Sequence, residues 1–141
     1  MTTLEHEAVT AFLHEQGEST QIEYFGESEF VIGRRLRQSE FEIVYRQDGD
    51  EVVIADFSTR EGQDDAGAVS GFIRLIHRIE REVPALRRVR GTFVRSEAEP
   101  RLNQIRERLA RVLERQGAHW EMIDGDAWLI YPLRAGRADR R

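Results

Sequence analysis

The chain has 141 residues, 40% hydrophobic and 33% charged, with a formal charge of -5. That is about one domain's worth of sequence, able to bury a core and too apolar for a disordered chain. The acidic balance argues against general affinity for nucleic acid or an anionic membrane, and the absence of cysteine excludes disulfides, thiol catalysis and thiolate metal ligation. There is no lysine, which codon bias in a GC-rich genome explains most simply. No basic stretch followed by an apolar core opens the chain, and no apolar run approaches bilayer-spanning length. A cytoplasmic location is therefore expected.

Thr2-Thr3-Leu4-Glu5 reads as a capping box, and Leu4, Ala8, Ala11 and Phe12 recur at helical spacing until Gly17, a residue suited to a left-handed helix end. Ile22-Glu23-Tyr24-Phe25 reads as a short strand or a loop, and Phe30-Val31-Ile32-Gly33 as a strand. Phe41, Ile43 and Tyr45 alternate with Glu42, Val44 and Arg46, the period of a half-buried strand. Asp48-Gly49 marks a hairpin turn. The return strand runs from Glu51 to about Ser58, and its unbroken Val52–Ala55 run predicts a central strand covered on both faces.

A glycine-bearing loop, Arg60 to Ala68, leads into a helix whose Val69, Phe72, Ile73, Ile76, Ile79 and Val83 share one stripe until Pro84. Asp64 and Asp65 at its start suit an N-terminal cap, which stabilises the positive end of the dipole. Gly67 and Gly71 read as a device that brings this helix close to the sheet. A short strand is expected around Val89–Phe93. Ser96-Glu97-Ala98-Glu99-Pro100 combines a capping box with a first-turn proline. Leu102, Ile105, Leu109, Val112 and Leu113 form the next apolar face, ended by Gly117. The last hairpin is His119–Ile123, Asp124-Gly125, Ala127–Tyr131.

The expected fold is α/β (α+β): one domain over residues 1–133 with a mixed central sheet of about six strands and three main helices. The arginine-rich stretch 134–141 is expected to be a disordered tail. The crossover around the Val69 helix implies two parallel strands.

Chemistry-bearing patterns are thin. His6, His14, His77 and His119 show no ligand spacing, so no metal site is expected. No nucleophile elbow is present, and nothing places a histidine beside Ser58, Thr59 or Ser70. The clusters Arg34-Arg35-Leu36-Arg37 and Arg87-Arg88-Val89-Arg90 read as solvated or ion-paired faces at strand ends. Trp120, Trp128 and Tyr131 in the final hairpin stand apart: alternation that puts Trp120 and Met122 on one side would leave an apolar face to anchor a protein partner, while at least one tryptophan is expected in a buried core strand.

The order of elements resembles the acyl-CoA-dependent GNAT family of N-acetyltransferases in degenerate form, its first strand missing or altered. The family's pyrophosphate loop, Gln/Arg-x-x-Gly-x-Gly/Ala, is matched by Gln63-Asp64-Asp65-Ala66-Gly67-Ala68 at Gln63 and Ala68 and departs at Ala66. Asp64 and Asp65 would stand where phosphates sit, at a cost on the order of a kcal/mol or more. Val112-Leu113-Glu114-Arg115-Gln116-Gly117-Ala118 is similar to the family's late helix end, but Leu113 replaces the tyrosine that commonly protonates the leaving thiolate. If the resemblance extended to activity, Gln63, Gly67 and Ala68 would contact the pyrophosphate of acyl-CoA and Asp56 would be the base.

A narrower resemblance is to the LcrR (low-calcium-response regulator) family of bacterial type III secretion operons. It rests on Phe12-Leu13-His14-Glu15-Gln16-Gly17, the strand pair Phe41–Tyr45 and Val52–Ile54, and the helix end Leu113–Ala118 before a Trp-containing strand. That resemblance implies a cytoplasmic, non-catalytic protein with no catalytic residue and no cofactor. Such a protein would influence secretion through a partner in the apparatus or its regulators. The alternatives are an N-acetyltransferase with an atypical loop and a type III secretion chaperone. The last would be a tight homodimer, and the sequence leaves the oligomeric state open. No nucleic acid or membrane partner is expected.

Overall fold

The structure is a computed structural model, in which residues 2–60, 62–92 and 97–138 are described. Its elements are α1 (Thr2–Glu15), β1 (Thr20–Tyr24), β2 (Val31–Arg37), β3 (Phe41–Asp48), β4 (Glu51–Thr59), α2 (Asp65–Glu82), β5 (Arg88–Gly91), α3 (Pro100–Arg115), β6 (His119–Ile123), β7 (Asp126–Pro132) and α4 (Arg134–Ala138). All strands belong to one 7-stranded sheet in the order β1-β2-β3-β4-β5-β7-β6. The β4–β5 pair is parallel, joined by α2 as the crossover, and the remaining pairs are antiparallel. Seven strands replace the expected six because Thr20–Tyr24 pairs with β2 as a full strand.

Side chains α1, α2 and α3 bury come together with one face of the sheet. Val9 and Leu13 of α1, Phe72 and Ile76 of α2, and Ile105 and Leu109 of α3 join Ile43, Val52, Ile54 and Leu129 in a single apolar cluster. Phe41, Phe57 and Phe72 meet there with ring centroids 5.2–6.2 Å apart, each such pair adding about 0.5–1.5 kcal/mol beyond its area. Gly71 makes this approach possible. A Cβ there would stand 3.2 Å from the Phe41 ring, so the helix lies close against the start of β3.

The opposite sheet face is built differently from the expectation of cover on both sides. Val44, Val53 and Ile130 are buried on it, yet their cross-strand neighbours are charged: Arg35 opposite Val44, Arg46 and Arg90 opposite Val53. Arg35 donates to both oxygens of Glu23 and to Glu42, and Glu51 accepts from Arg88 and Arg90. Arg90 also lies over the Trp128 ring, 4.3 Å from its centroid. Long arginine stems thus shield a narrow apolar strip while their heads are paired. Both basic clusters sit at strand ends as expected: Arg34–Arg37 closes β2, and Arg87–Arg90 leads into β5 with Arg87 just before it.

Gly17 and Gly117 close α1 and α3 in the same way, at φ +82° and +110°, with the next amide bonding back to the Leu13 or Leu113 carbonyl. Between Asp48 and Glu51 the turn centres on Gly49 and Asp50, one residue later than the sequence suggests. Asp124 and Gly125 both have positive φ, as a two-residue hairpin of this kind requires. The α3 start departs from the capping-box expectation: its cap is Glu99, whose side chain makes no capping bond, followed by Pro100. Ser96 and Phe93 lie outside the described residues, as do the side chains of the Thr2–Glu5 box. The expected tail is corrected in part: residues 134–138 form α4, with Arg137 bonded to Pro132 and to Glu80 of α2. Residues 139–141 lie outside the described residues.

Candidate functional site

Two regions bear on function: the crossover cleft singled out by the sequence, and the β1–β2 hairpin at the far edge of the sheet.

In the cleft, Asp64 is the N-cap of α2, and its carboxylate accepts from the Gly67 amide at 2.6 Å. The Ala68 amide bonds the Asp64 carbonyl. Of the three residues that would hold a pyrophosphate, Gly67 and Ala68 therefore have engaged amides, and Gln63 is exposed in the preceding turn. Asp65 packs beside them, one of its oxygens buried with no hydrogen-bond partner and 4.0 Å from Arg101. A third carboxylate joins from β3's leading turn. Glu40 comes within 3.1 Å of where a Gly67 Cβ would stand and pairs with Arg74 at 3.2 Å. The helix start is thus ringed by acidic groups, which complement its dipole and oppose an anion.

β5 pairs with β4 only as far as Ile54 and Gly91. Beyond that point β4 bulges at Ala55, since Val44 faces Asp56 while Tyr45 faces Ile54. Arg106 of α3 reaches β4 there: its Nη2 donates to Asp56 at 2.5 Å and its Nε to the Phe57 carbonyl at 3.2 Å. The prospective base therefore sits in an ion pair whose arginine is 13% exposed. Behind it, Leu109, Leu113, Ile54 and Tyr131 leave a wholly apolar void of about 20 Å³, room for about one water and far below the usual ligand-site volume of ~300 Å³ or more. Leu113, at the position of the family's acid, is buried in this wall.

The second region was not singled out by the sequence reading. Tyr24, Phe25, Phe30 and Val31 are all exposed on the β1–β2 hairpin, Phe25 at 69% and Phe30 at 70%. The Phe25 amide bonds the Phe30 carbonyl, and Ser28 closes the tip by donating to the Phe25 carbonyl. Two aromatics are thus held side by side on an ordered turn. Glu27 and Glu29 are exposed between them, and no cation occurs from Gln21 to Gly33. The hairpin continues into a groove of about 230 Å³ beneath α1, whose wall includes Ile22, Val31, Arg34 and Tyr45. The Tyr45 hydroxyl is bonded to Thr10 at 2.7 Å, and burial pushes its pKa up. Gln47 accepts from the Val9 amide and donates to the Gly49 carbonyl.

In the C-terminal hairpin the two tryptophans part company. Trp120 and Met122 are exposed, at 45% and 71%, whereas Trp128 is half-buried under Arg90. Arg106 had a legible signal: Leu102, Arg106, Leu109 and Leu113 fall at four- and three-residue spacing, so a charge interrupts the apolar stripe. Glu40 had none, since it lies in the short β2–β3 turn. Among the described residues no group of His, Asp or Glu is arranged to hold a metal ion, and no helix is long and apolar enough to cross a membrane.

No protein-family model matches the chain, and neither the curated proteins nor the solved structures compared with it include a match.

Proposed function

We propose that this chain is a non-catalytic cytoplasmic protein that acts through protein contacts, in the setting its resemblance to low-calcium-response regulators implies: control of a bacterial type III secretion system. The observation that carries the reading is the β1–β2 hairpin, where Tyr24, Phe25, Phe30 and Val31 stand exposed around the unpaired Glu27 and Glu29. Exposed aromatics on a hydrogen-bonded turn are frequent anchors of interfaces. The carboxylates select a partner segment that presents an apolar side chain flanked by arginine or lysine.

The acyl-CoA-dependent alternative draws support from the parallel β4–β5 crossover. Against it stand the carboxylates at the start of α2, the Arg106–Asp56 pair on β4 and leucine at position 113.

The decisive experiment deletes the gene in its host and measures type III secretion, then restores either the native chain or the double variant Phe25→Ser/Phe30→Ser. The native chain should restore the secretion profile and the variant should not, although both fold with the same circular dichroism. Full restoration by the variant would refute the hairpin as the docking element. Calorimetric titration with acetyl-CoA separates the alternatives: micromolar binding would overturn the non-catalytic reading.

A further inference from the structure

Most of the described arginines are neutralised within the fold, from the Arg34–Glu7 pair to Arg137–Glu80. Arg108, Arg111 and Arg115 are not, and all three are exposed on α3. Together with Arg101 and Gln104 they recur at spacings of three and four residues, so they line one stripe that borders Ile105 and faces away from the buried Leu109 and Leu113. At ~1.5 Å per residue the stripe is about 20 Å long. Arg101 is 77% exposed and reaches Asp65 only at 4.0 Å.

This arrangement has a local cost. Arg108–Arg111 and Arg111–Arg115 are like-charge neighbours, each destabilising an isolated helix by about 0.2–0.5 kcal/mol. Arg115 recovers part of that from the C-terminal dipole, and Glu107 and Glu114 flank the stripe on one side. In a chain of net charge -5 that pairs its other arginines so widely, three successive unpaired arginines along one helix face stand out.

We propose that the outer face of α3 is a docking surface for an acidic helical segment of a partner protein, separate from the β1–β2 hairpin. A helix bearing aspartate or glutamate at the same three- and four-residue spacing matches the row side by side, and guanidinium forks favour carboxylates. Nucleic acid is the poorer fit: the stripe carries no aromatic residue for base stacking, Glu107 and Glu114 border it, and the whole chain is acidic.

The test is fluorescence anisotropy of a labelled helical peptide with glutamates at alternating three- and four-residue spacing, with a labelled single-stranded oligonucleotide as comparison. The peptide should bind at low salt and weaken as salt rises. The triple variant Arg108→Gln/Arg111→Gln/Arg115→Gln should bind roughly tenfold or more weakly, whereas Arg108→Lys/Arg111→Lys/Arg115→Lys and the distant Arg81→Gln should retain binding. The glutamine variant should keep the native urea midpoint or exceed it, which separates lost binding from lost folding. Absence of peptide binding, an unaffected triple variant, or tighter binding of the oligonucleotide would each overturn the proposal.

Discussion

Arg106 of α3 and Asp56 of β4 meet at 2.5 Å where β4 runs on past the end of β5, and the same guanidinium bonds the Phe57 carbonyl. One side chain thereby satisfies a carboxylate and a main-chain acceptor that the sheet leaves unpaired.

Arg106→Ala should accordingly destabilise the protein by about 1–3 kcal/mol, because it removes the donor to the Phe57 carbonyl together with the bond to Asp56. Asp56→Asn should cost less, since that group is 39% exposed and an amide can still accept. Urea denaturation of the two variants gives the ranking. Equal midpoints for native and Arg106→Ala would show the pair to be energetically idle.

Substituting Gly71 by alanine sets two effects against each other. Helix propensity favours alanine by about 1 kcal/mol, but the new methyl would press on the Phe41 ring at 3.2 Å. Phe41 is buried and packs against Phe57 and Phe72, so a shift of its ring disturbs both. A net loss of about 1–2 kcal/mol is expected in thermal denaturation. A raised melting temperature would mean that the ring shifts freely.

Removing the cap with Asp64→Ala should cost about 0.5–2 kcal/mol, and Asp64→Asn much less. The same substitutions probe the acyl-CoA alternative. If freeing the Gly67 amide created micromolar acetyl-CoA affinity, the cap would be the element that closes the cleft.

The pH profile has a limb on each side. Hydrogen bonds from Arg35 hold Glu23 below the usual carboxylate range. Its contribution is therefore present above the ordinary value of 4.5 and is lost as pH falls through the lower folded-state pKa. Burial raises Tyr45, against the opposing Thr10 bond. Above about pH 10 the unfolded chain ionises first, so stability falls until Tyr45 ionises in the fold as well. Glu23→Gln should flatten the acid limb of urea stability and Tyr45→Phe the alkaline limb. An unchanged alkaline slope for Tyr45→Phe would assign that limb to Tyr131, which burial also raises.

The sheet's centre and its covering helices were legible because their apolar residues repeat at clean periods: Phe41, Ile43 and Tyr45 at two, Val69 to Ile79 at helical spacing. β1 was ambiguous because its two faces are both wet, leaving Ile22 as a lone apolar residue among Gln21 and Glu23. The cover of Val53 by arginine stems was hidden for another reason: hydrophobic runs report burial but not what buries them. The Asp64 cap was readable from residue type at a helix start. The hairpin aromatics were missed, and attention fell instead on Trp120 and Trp128, because exposure depends on which strand ends at the sheet edge. Asp64 and Leu113 were thus readable parts of the cleft's closure, and Arg106 carried a further signal as a charge within the apolar stripe from Leu102 to Leu113.

The sheet is continuous only through β5, a strand of four residues wedged between β4 and β7. The β1–β4 meander and the β6–β7 hairpin are therefore two blades joined at a narrow spine, bolted across by α2 and α3. Amide exchange should report that seam: amides of Arg88–Gly91 face β4 or β7 in alternation, so each is released when β5 parts from the blade it faces. Their exchange rate measures how strongly a partner gripping one edge is felt at the other.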